Sequence, residues 1–340
     1  MSVSNRLKIG LLGTVVTALA LYFIATQLNL ALFWQAWTSA RYVYVVPCLI
    51  LLLIGLITRA FRWQVLLNGD LPFNRTFSIM NVAYLVNGLL PLRIGELARV
   101  YLVSRTRESI PIPTTTSTII VERLLDLLAV GMMVLLALML GTVPDQIRIA
   151  SGAAALVALI GFGVLIVLAS HRDWALQMSR RILQYVPLLN RYADTLERWF
   201  GQFLTGLIPL TQSRALVLAF FWTALSWMIS VMAGYVLMFA FFPQASVAAT
   251  MLYIAAAAFA IALPAVPGNI GTYEASILLA LLAMGYEQSN SAVAFAVMVH
   301  AVNVFVHAVT GLVGFIQEGI SLTQLSQGVQ QIQQTKTEIG

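Results

Sequence analysis

Apolar residues along this chain come in blocks of about 20, the length a helix needs to cross a hydrocarbon core. Clear blocks cover residues 9–28, 42–58, 117–141, 149–170, 215–242 and 292–316. None shows the short alternating segments of a β-barrel. A helix closes its own backbone hydrogen bonds in lipid, so six helical spans are expected. Two further blocks, 76–104 and 247–285, are apolar but punctuated. The first is broken at Asn87-Gly88, Pro91 and Gly95, the second at Pro264, Pro267, Gly268 and Gly271. Prolines and glycines at this density end helices. Inside a membrane such breaks survive only where protein or a wet cavity shields the backbone. The expected fold is an all-α polytopic membrane protein with six full spans and two re-entrant helical hairpins. Ordinary kinked spans are the alternative for each hairpin.

The two punctuated blocks resemble each other. Pro91-Leu92-Arg93-Ile94-Gly95 and Pro267-Gly268-Asn269-Ile270-Gly271 both read P-x-x-I-G, 176 positions apart. That offset carries 117–141 onto the last span and 42–58 into the fifth. The first span pairs with the fourth if 171–214 is an insertion. The chain then reads as two units, 9–141 and 149–317, each an odd number of crossings. The second unit must run upside down relative to the first, and inverted repeats with broken helices are a transporter signature.

Composition supports a membrane setting. The chain is 60% hydrophobic and 9% charged, against about 25% charged in soluble domains. The net charge of +6 rests almost wholly on arginine, with Lys8 and Lys336 the only lysines. Those arginines flank or enter apolar blocks, so lipid phosphate is the expected anion and nucleic acid is not. The single cysteine, Cys48, excludes an internal disulfide and a multi-cysteine metal site. The first block reads as a retained span rather than a cleaved leader. Arginine-rich connections follow the second and fourth spans and precede the first, which places both termini in the cytoplasm of a plasma (inner) membrane. Residues 1–320 read as one transmembrane domain. Segment 171–214 mixes Trp174, Ile182, Trp199 and Phe203 with arginines, as helices in the headgroup plane do; a small helical hairpin covering the bundle fits equally. Residues 321–340 read as a flexible cytoplasmic tail.

Candidate chemistry gathers at the breaks. Arg93, Glu96 and Arg99 fall within seven residues, and Glu122, Arg123 and Asp126 open the next span. Glu122 and Asp126 are i, i+4 and share a helix face. Ionisable groups at membrane depth pair with one another or face a cavity. An internal salt-bridge network and arginine forks on a lipid phosphate are both open, and compatible. The second break offers Asn269, Tyr273 and Glu274. Glu274 could take a proton, a cation or an amine headgroup, or bond free N–H groups where a half-helix starts. His300, Asn303 and His307 form a polar stripe on the last span, better suited to interhelical hydrogen bonds than to metal. No catalytic triad, metal centre or cofactor is expected.

Four stretches occur in order: Arg59-Ala60-Phe61-Arg62-Trp63; Gly88 to Leu102, reading GLLPLRIGELARVYL; Val121-Glu122-Arg123-Leu124-Leu125-Asp126; and Pro267 to Ala275, reading PGNIGTYEA. Together they resemble the lysylphosphatidylglycerol synthase transmembrane-region, or flippase-like domain, family across nearly the whole chain. The resemblance implies a bacterial or archaeal plasma-membrane protein with two re-entrant hairpins; in the bifunctional members this domain is the one held to move aminoacylated phospholipid between leaflets, and many standalone members have no assigned substrate. In bifunctional members a separate soluble domain makes the aminoacylated lipid; these 340 residues leave no room for one, so aminoacyl transfer is not implied. Asn269 stands where the family often has a second glycine. The expected function is a lipid translocase or lipid-binding protein for an anionic, phosphate-bearing lipid. Arg93, Arg99 and Arg123 would meet the phosphate, balanced by Glu96, Glu122 and Asp126, with Asn269, Tyr273, Glu274, His300 and Asn303 lining the opposite half. The alternatives are a membrane enzyme on a lipid-linked substrate and an accessory scaffold for a lipid or glycan synthesis enzyme. A homo-oligomer or a partner enzyme of lipid metabolism stays open.

Overall fold

The computed structural model describes residues 3–90, 94–106, 110–140, 145–184, 193–262, 267–286 and 289–328. Among these the secondary structure is helical throughout. The helices are α1 (Val3–Gln27), α2 (Leu30–Thr38), α3 (Val45–Leu66), α4 (Phe73–Leu89), α5 (Gly95–Ser104), α6 (Ile112–Leu140) and α7 (Asp145–Ser170). They continue as α8 (Arg172–Gln184), α9 (Ala193–Thr205), α10 (Ser213–Met238), α11 (Val247–Ala262), α12 (Thr272–Ala283) and α13 (Ser289–Glu318). Five are long and apolar enough to cross a membrane, over Tyr42–Leu66, Ile112–Leu140, Gly152–Ser170, Ser213–Met238 and Asn290–Glu318. A sixth crossing requires Thr14–Thr26 and Leu30–Thr38 to count together, across an 84° bend. The bend has a local cause. Asn29 caps α2, its side chain accepting from the Ala31 and Leu32 N–H groups, while its own N–H donates to Asn290 Oδ1 at 2.7 Å.

The punctuated blocks form two pairs of shorter helices. At about 1.5 Å per residue, the 17 residues of α4 and 10 of α5 make arms of roughly 25 and 15 Å. The 16 residues of α11 and 12 of α12 make roughly 24 and 18 Å. Each arm is short of the ~30 Å hydrocarbon thickness. Asn87-Gly88 does not break α4, which runs through to Leu89; an isolated Asn-Gly costs a helix only about 1 kcal/mol, less than packing returns. Pro91 to Arg93 and Pro264 lie outside the described residues. The chain doubles back after α4, because Gly95 opens α5 alongside Ala83 and Asn87. The turn Pro267–Asn269 packs on α4, with Gly268 close to the Gly88 carbonyl. The second break therefore packs against the C-terminal end of α4.

Packing follows a repeated scheme. The helices α3 and α10 pack on each other; α4 packs on α13 as α11 packs on α6; α4 packs on α5 as α11 on α12; α5 packs on α6 as α12 on α13. Two apolar cores result, one drawing mostly on 60–125 and one mostly on 233–302. The outside is apolar too: Tyr22, Val43, Met139, Val217 and Ile316 are all exposed, as lipid-facing positions are.

Two sequence expectations change, at the end of the second span and at the start of the tail. The second span does not stop at residue 58. It continues to Leu66 and carries Arg59 and Arg62 inside helix α3, because Arg62 is ion-paired there. Arg62 and Arg99, each 1% exposed, are thus interior groups and not loop charges that orient the chain. In segment 171–214, of the two arrangements expected, the described helices lie against the bundle: α9 packs on α6 and α8 on α9, with Thr114 Oγ1 donating to the Gln202 carbonyl at 2.8 Å. Residues 322–328 add a helical turn whose Leu325 is buried.

Candidate functional site

Three arginines and three acids assemble where α3, α5 and α6 meet. Arg62 Nη1 reaches Asp126 Oδ1 at 2.6 Å and its Nη2 lies 3.3 Å from Glu122 Oε1. The i, i+4 spacing of Glu122 and Asp126 lets one guanidinium bridge both. Arg99 meets Glu122 with both nitrogens, at 3.3 and 2.9 Å. Arg123 lies 2.9 Å from Glu122, 3.5 Å from Glu96 and 3.5 Å from Asp126. Glu96 also lies 3.6 Å from Arg99. Two tryptophans support the cluster. Trp63 lies under the Arg99 guanidinium at 3.8 Å and donates to Thr118 Oγ1, while Trp227 Nε1 donates to Asp126 Oδ1 at 3.1 Å. The formal charges cancel, which is how a low-dielectric interior tolerates six ionised groups.

The second centre lies on α12 and α13. Glu274 Oε2 accepts from the Gly271 N–H at 2.8 Å, and its Oε1 lies 2.6 Å from His300 Nδ1. The carboxylate thus caps the helix that begins after the break. Tyr273 stacks near His300, their rings 4.8 Å apart. Gly268, Asn269 and Gly271 all have positive φ, at 73°, 55° and 86°. Asparagine is the residue that tolerates this region best after glycine, which accounts for Asn269 at a glycine-favouring position.

A cavity of about 430 Å3 lies between these centres. Arg62, Arg123 and Asp126 border it from the charge cluster, and Asn269, Tyr273, His300, Asn303 and His307 from the other side. A smaller chamber of about 160 Å3 adjoins it between α3, α10, α11 and α13, with Leu52, Leu56, Leu237, Ile254 and Ile261 in its walls. The two share Arg59, Trp227, Tyr273, Asn303 and His307.

Of the residues singled out from sequence, Glu96, Arg99 and Glu122 are in the charge cluster and do not border the cavity. Arg123, Asp126, Asn269, Tyr273, His300 and Asn303 border it. Glu274 stands behind His300, and Arg93 lies outside the described residues. Sequence reasoning left Arg59, Arg62, Tyr84 and Trp227 off the site. The available signal was the i, i+3 spacing of Arg59 and Arg62 at the end of an apolar block, which reads equally as a positively charged loop.

The family model described as the lysylphosphatidylglycerol synthase TM region matches residues 10–311. A UPF0104 membrane protein of Methanothermobacter thermautotrophicus is 26% identical over 274 residues, covering 75% of this chain and 81% of the relative. No solved structure matches.

Proposed function

The chain belongs to the lysylphosphatidylglycerol synthase transmembrane-region family, and from that premise we propose that it binds a phosphate-bearing membrane lipid and moves it between leaflets. The observation that carries this reading is the polar cavity, set among membrane-length helices and bordered by Arg59, which has no carboxylate within ion-pair distance among the described residues. An arginine fork suits a phosphate. A scaffold would need no such cavity. A membrane enzyme would need a carboxylate free to exchange protons, whereas Glu122, Asp126 and Glu274 are each held by arginine, tryptophan, backbone or histidine.

Alternating access would come from two inverted repeats, 9–141 and 149–317, with re-entrant hairpins α4–α5 and α11–α12. The matched packing of the two halves, the short arms of both helix pairs and the contact of the second break with the end of α4 support this. The proposed setting is the inner membrane with both termini cytoplasmic.

Native mass spectrometry tests the binding step. The purified protein should retain a phosphate-bearing lipid, and Asn303→Trp, which fills the cavity, should lose it. Equal retention by the variant would place the lipid elsewhere and count against the reading.

A further inference from the structure

Two chambers, the larger bordered by the charge cluster and the smaller lined in part by Leu52, Leu56, Leu237, Ile254 and Ile261, meet at Arg59. Its guanidinium donates to Ser230 Oγ at 3.2 Å and lies 5.9 Å from the Trp227 ring. The other cavity arginines, Arg62 and Arg123, are already neutralised by acids. One uncompensated cation matches one phosphate charge. A diphosphate would bring more negative charge than the described walls can balance.

The acids argue about the rest of the headgroup. Asp126 is the only described carboxylate bordering the larger chamber. Both its oxygens are engaged, Oδ1 by Arg62 and Trp227, Oδ2 by Arg62 and Arg123. Glu274 is held by the Gly271 N–H and His300. Neither is left for an added ammonium. The remaining polar walls, among them Tyr84, Asn87, Asn269 and Asn303, are uncharged hydrogen-bonding groups suited to hydroxyls.

The smaller chamber holds one odd group. Tyr253 borders this chamber and is 1% exposed, and its hydroxyl, buried beside Gly234, has no hydrogen-bond partner among the described residues. A buried hydroxyl is costly unless paired, and an ester carbonyl entering with an acyl chain would accept a hydrogen bond from it. A bare polyprenyl chain offers no acceptor.

We infer that the site takes an ester-linked glycerophospholipid with one phosphodiester and an uncharged, hydroxyl-bearing headgroup, its phosphate on Arg59 and an acyl ester carbonyl on Tyr253. This rests on the lipid-binding reading and narrows it. It also separates this chain's ligand from a lysylated lipid.

Binding to the full-length protein in detergent tests it with four probes: dioctanoyl phosphatidylglycerol, its lysylated form, its ether-linked form and farnesyl diphosphate. Phosphatidylglycerol should bind tighter than the lysylated lipid and the diphosphate. Arg59→Gln should weaken it by about tenfold or more, the scale of a lost charge-assisted hydrogen bond, with Arg59→Lys recovering part. Tyr253→Phe should weaken the ester-linked lipid by about two- to tenfold and leave the ether-linked lipid unchanged. Tighter binding of the lysylated lipid or diphosphate, or indifference to Arg59→Gln or Tyr253→Phe, overturns the inference while lipid binding stands. Binding of none of the four overturns both.

Discussion

Arg99 and Glu122 meet through both guanidinium nitrogens and both carboxylate oxygens, at 3.3 and 2.9 Å, with side-chain exposures of 1% and 0%. The pair ties α5, the returning arm of the first hairpin, to α6. Glu122 also holds Arg62 and Arg123, so Glu122→Gln leaves three arginines facing two acids. Removing one partner of a buried pair costs about 3–5 kcal/mol. Thermal unfolding in detergent should show a loss of that size. Arg99→Lys keeps the charge but forfeits the fork and the stacking on Trp63, with a smaller loss of about 1–2 kcal/mol. Equal stability of Glu122→Gln and wild type would mean that the six charges are not coupled.

Gly95 is required by contact. An added Cβ would collide with the Ala83 carbonyl oxygen and with Asn87 Oδ1, which accepts from the Gly95 N–H at 2.7 Å. Gly95→Ala should therefore destabilise by about 1–3 kcal/mol, as overpacking does. Gly88→Ala meets nothing within 4 Å and lies in α4, so it should be neutral or slightly stabilising. The same unfolding measurement compares them, and a larger loss for Gly88→Ala would contradict the packing of the first hairpin.

The helix α8 exposes Trp174, Met178 and Ile182 at i, i+4, i+8, an apolar stripe open to the surface. Docking of this stripe into lipid headgroups predicts that a polarity-sensitive label at Met178→Cys reports an apolar setting in vesicles, and one at Gln177→Cys a wet one. The native Cys48 is buried and should not compete. Matching signals from the two sites would exclude docking by this face.

Arg180 on α8 is bonded to Glu197 on α9. That hydrogen bond holds the Glu197 carboxyl below its usual range and raises the Arg180 guanidinium. A lowered acid contributes while ionised and loses its contribution only as pH falls through the lowered value. Hydrogen exchange across α8 and α9, corrected for intrinsic rate, should thus be unchanged from about pH 8 to about pH 5. Loosening within that window would contradict the assignment. Both groups are exposed, so the pair is a contact between helices and a minor stabiliser.

The five membrane-length helices were legible because lipid demands long apolar helices whatever surrounds them. The 84° bend at Asn29 was not, since its cause is an amide cap and a distant Asn290. The family was legible from ordered motifs carrying Arg62, Gly95, Glu122 and Gly271. Glu122 and Asp126 were legible as one face from their spacing. Their main partner, Arg62, was not, because hydropathy ends a span at an arginine and cannot see an acid 64 positions away. Arg59 was missed for the same reason: its meaning depends on which neighbours lack a negative charge, a property of the assembled interior.

Translocation in reconstituted vesicles tests the central claim most directly. Fluorescent phosphatidylglycerol placed in both leaflets is bleached from outside by an impermeant reductant. Vesicles holding the protein should lose the protected inner-leaflet share, and vesicles holding Arg59→Gln should keep most of it. Protection equal to that of protein-free vesicles, with the protein folded and inserted, would contradict the account.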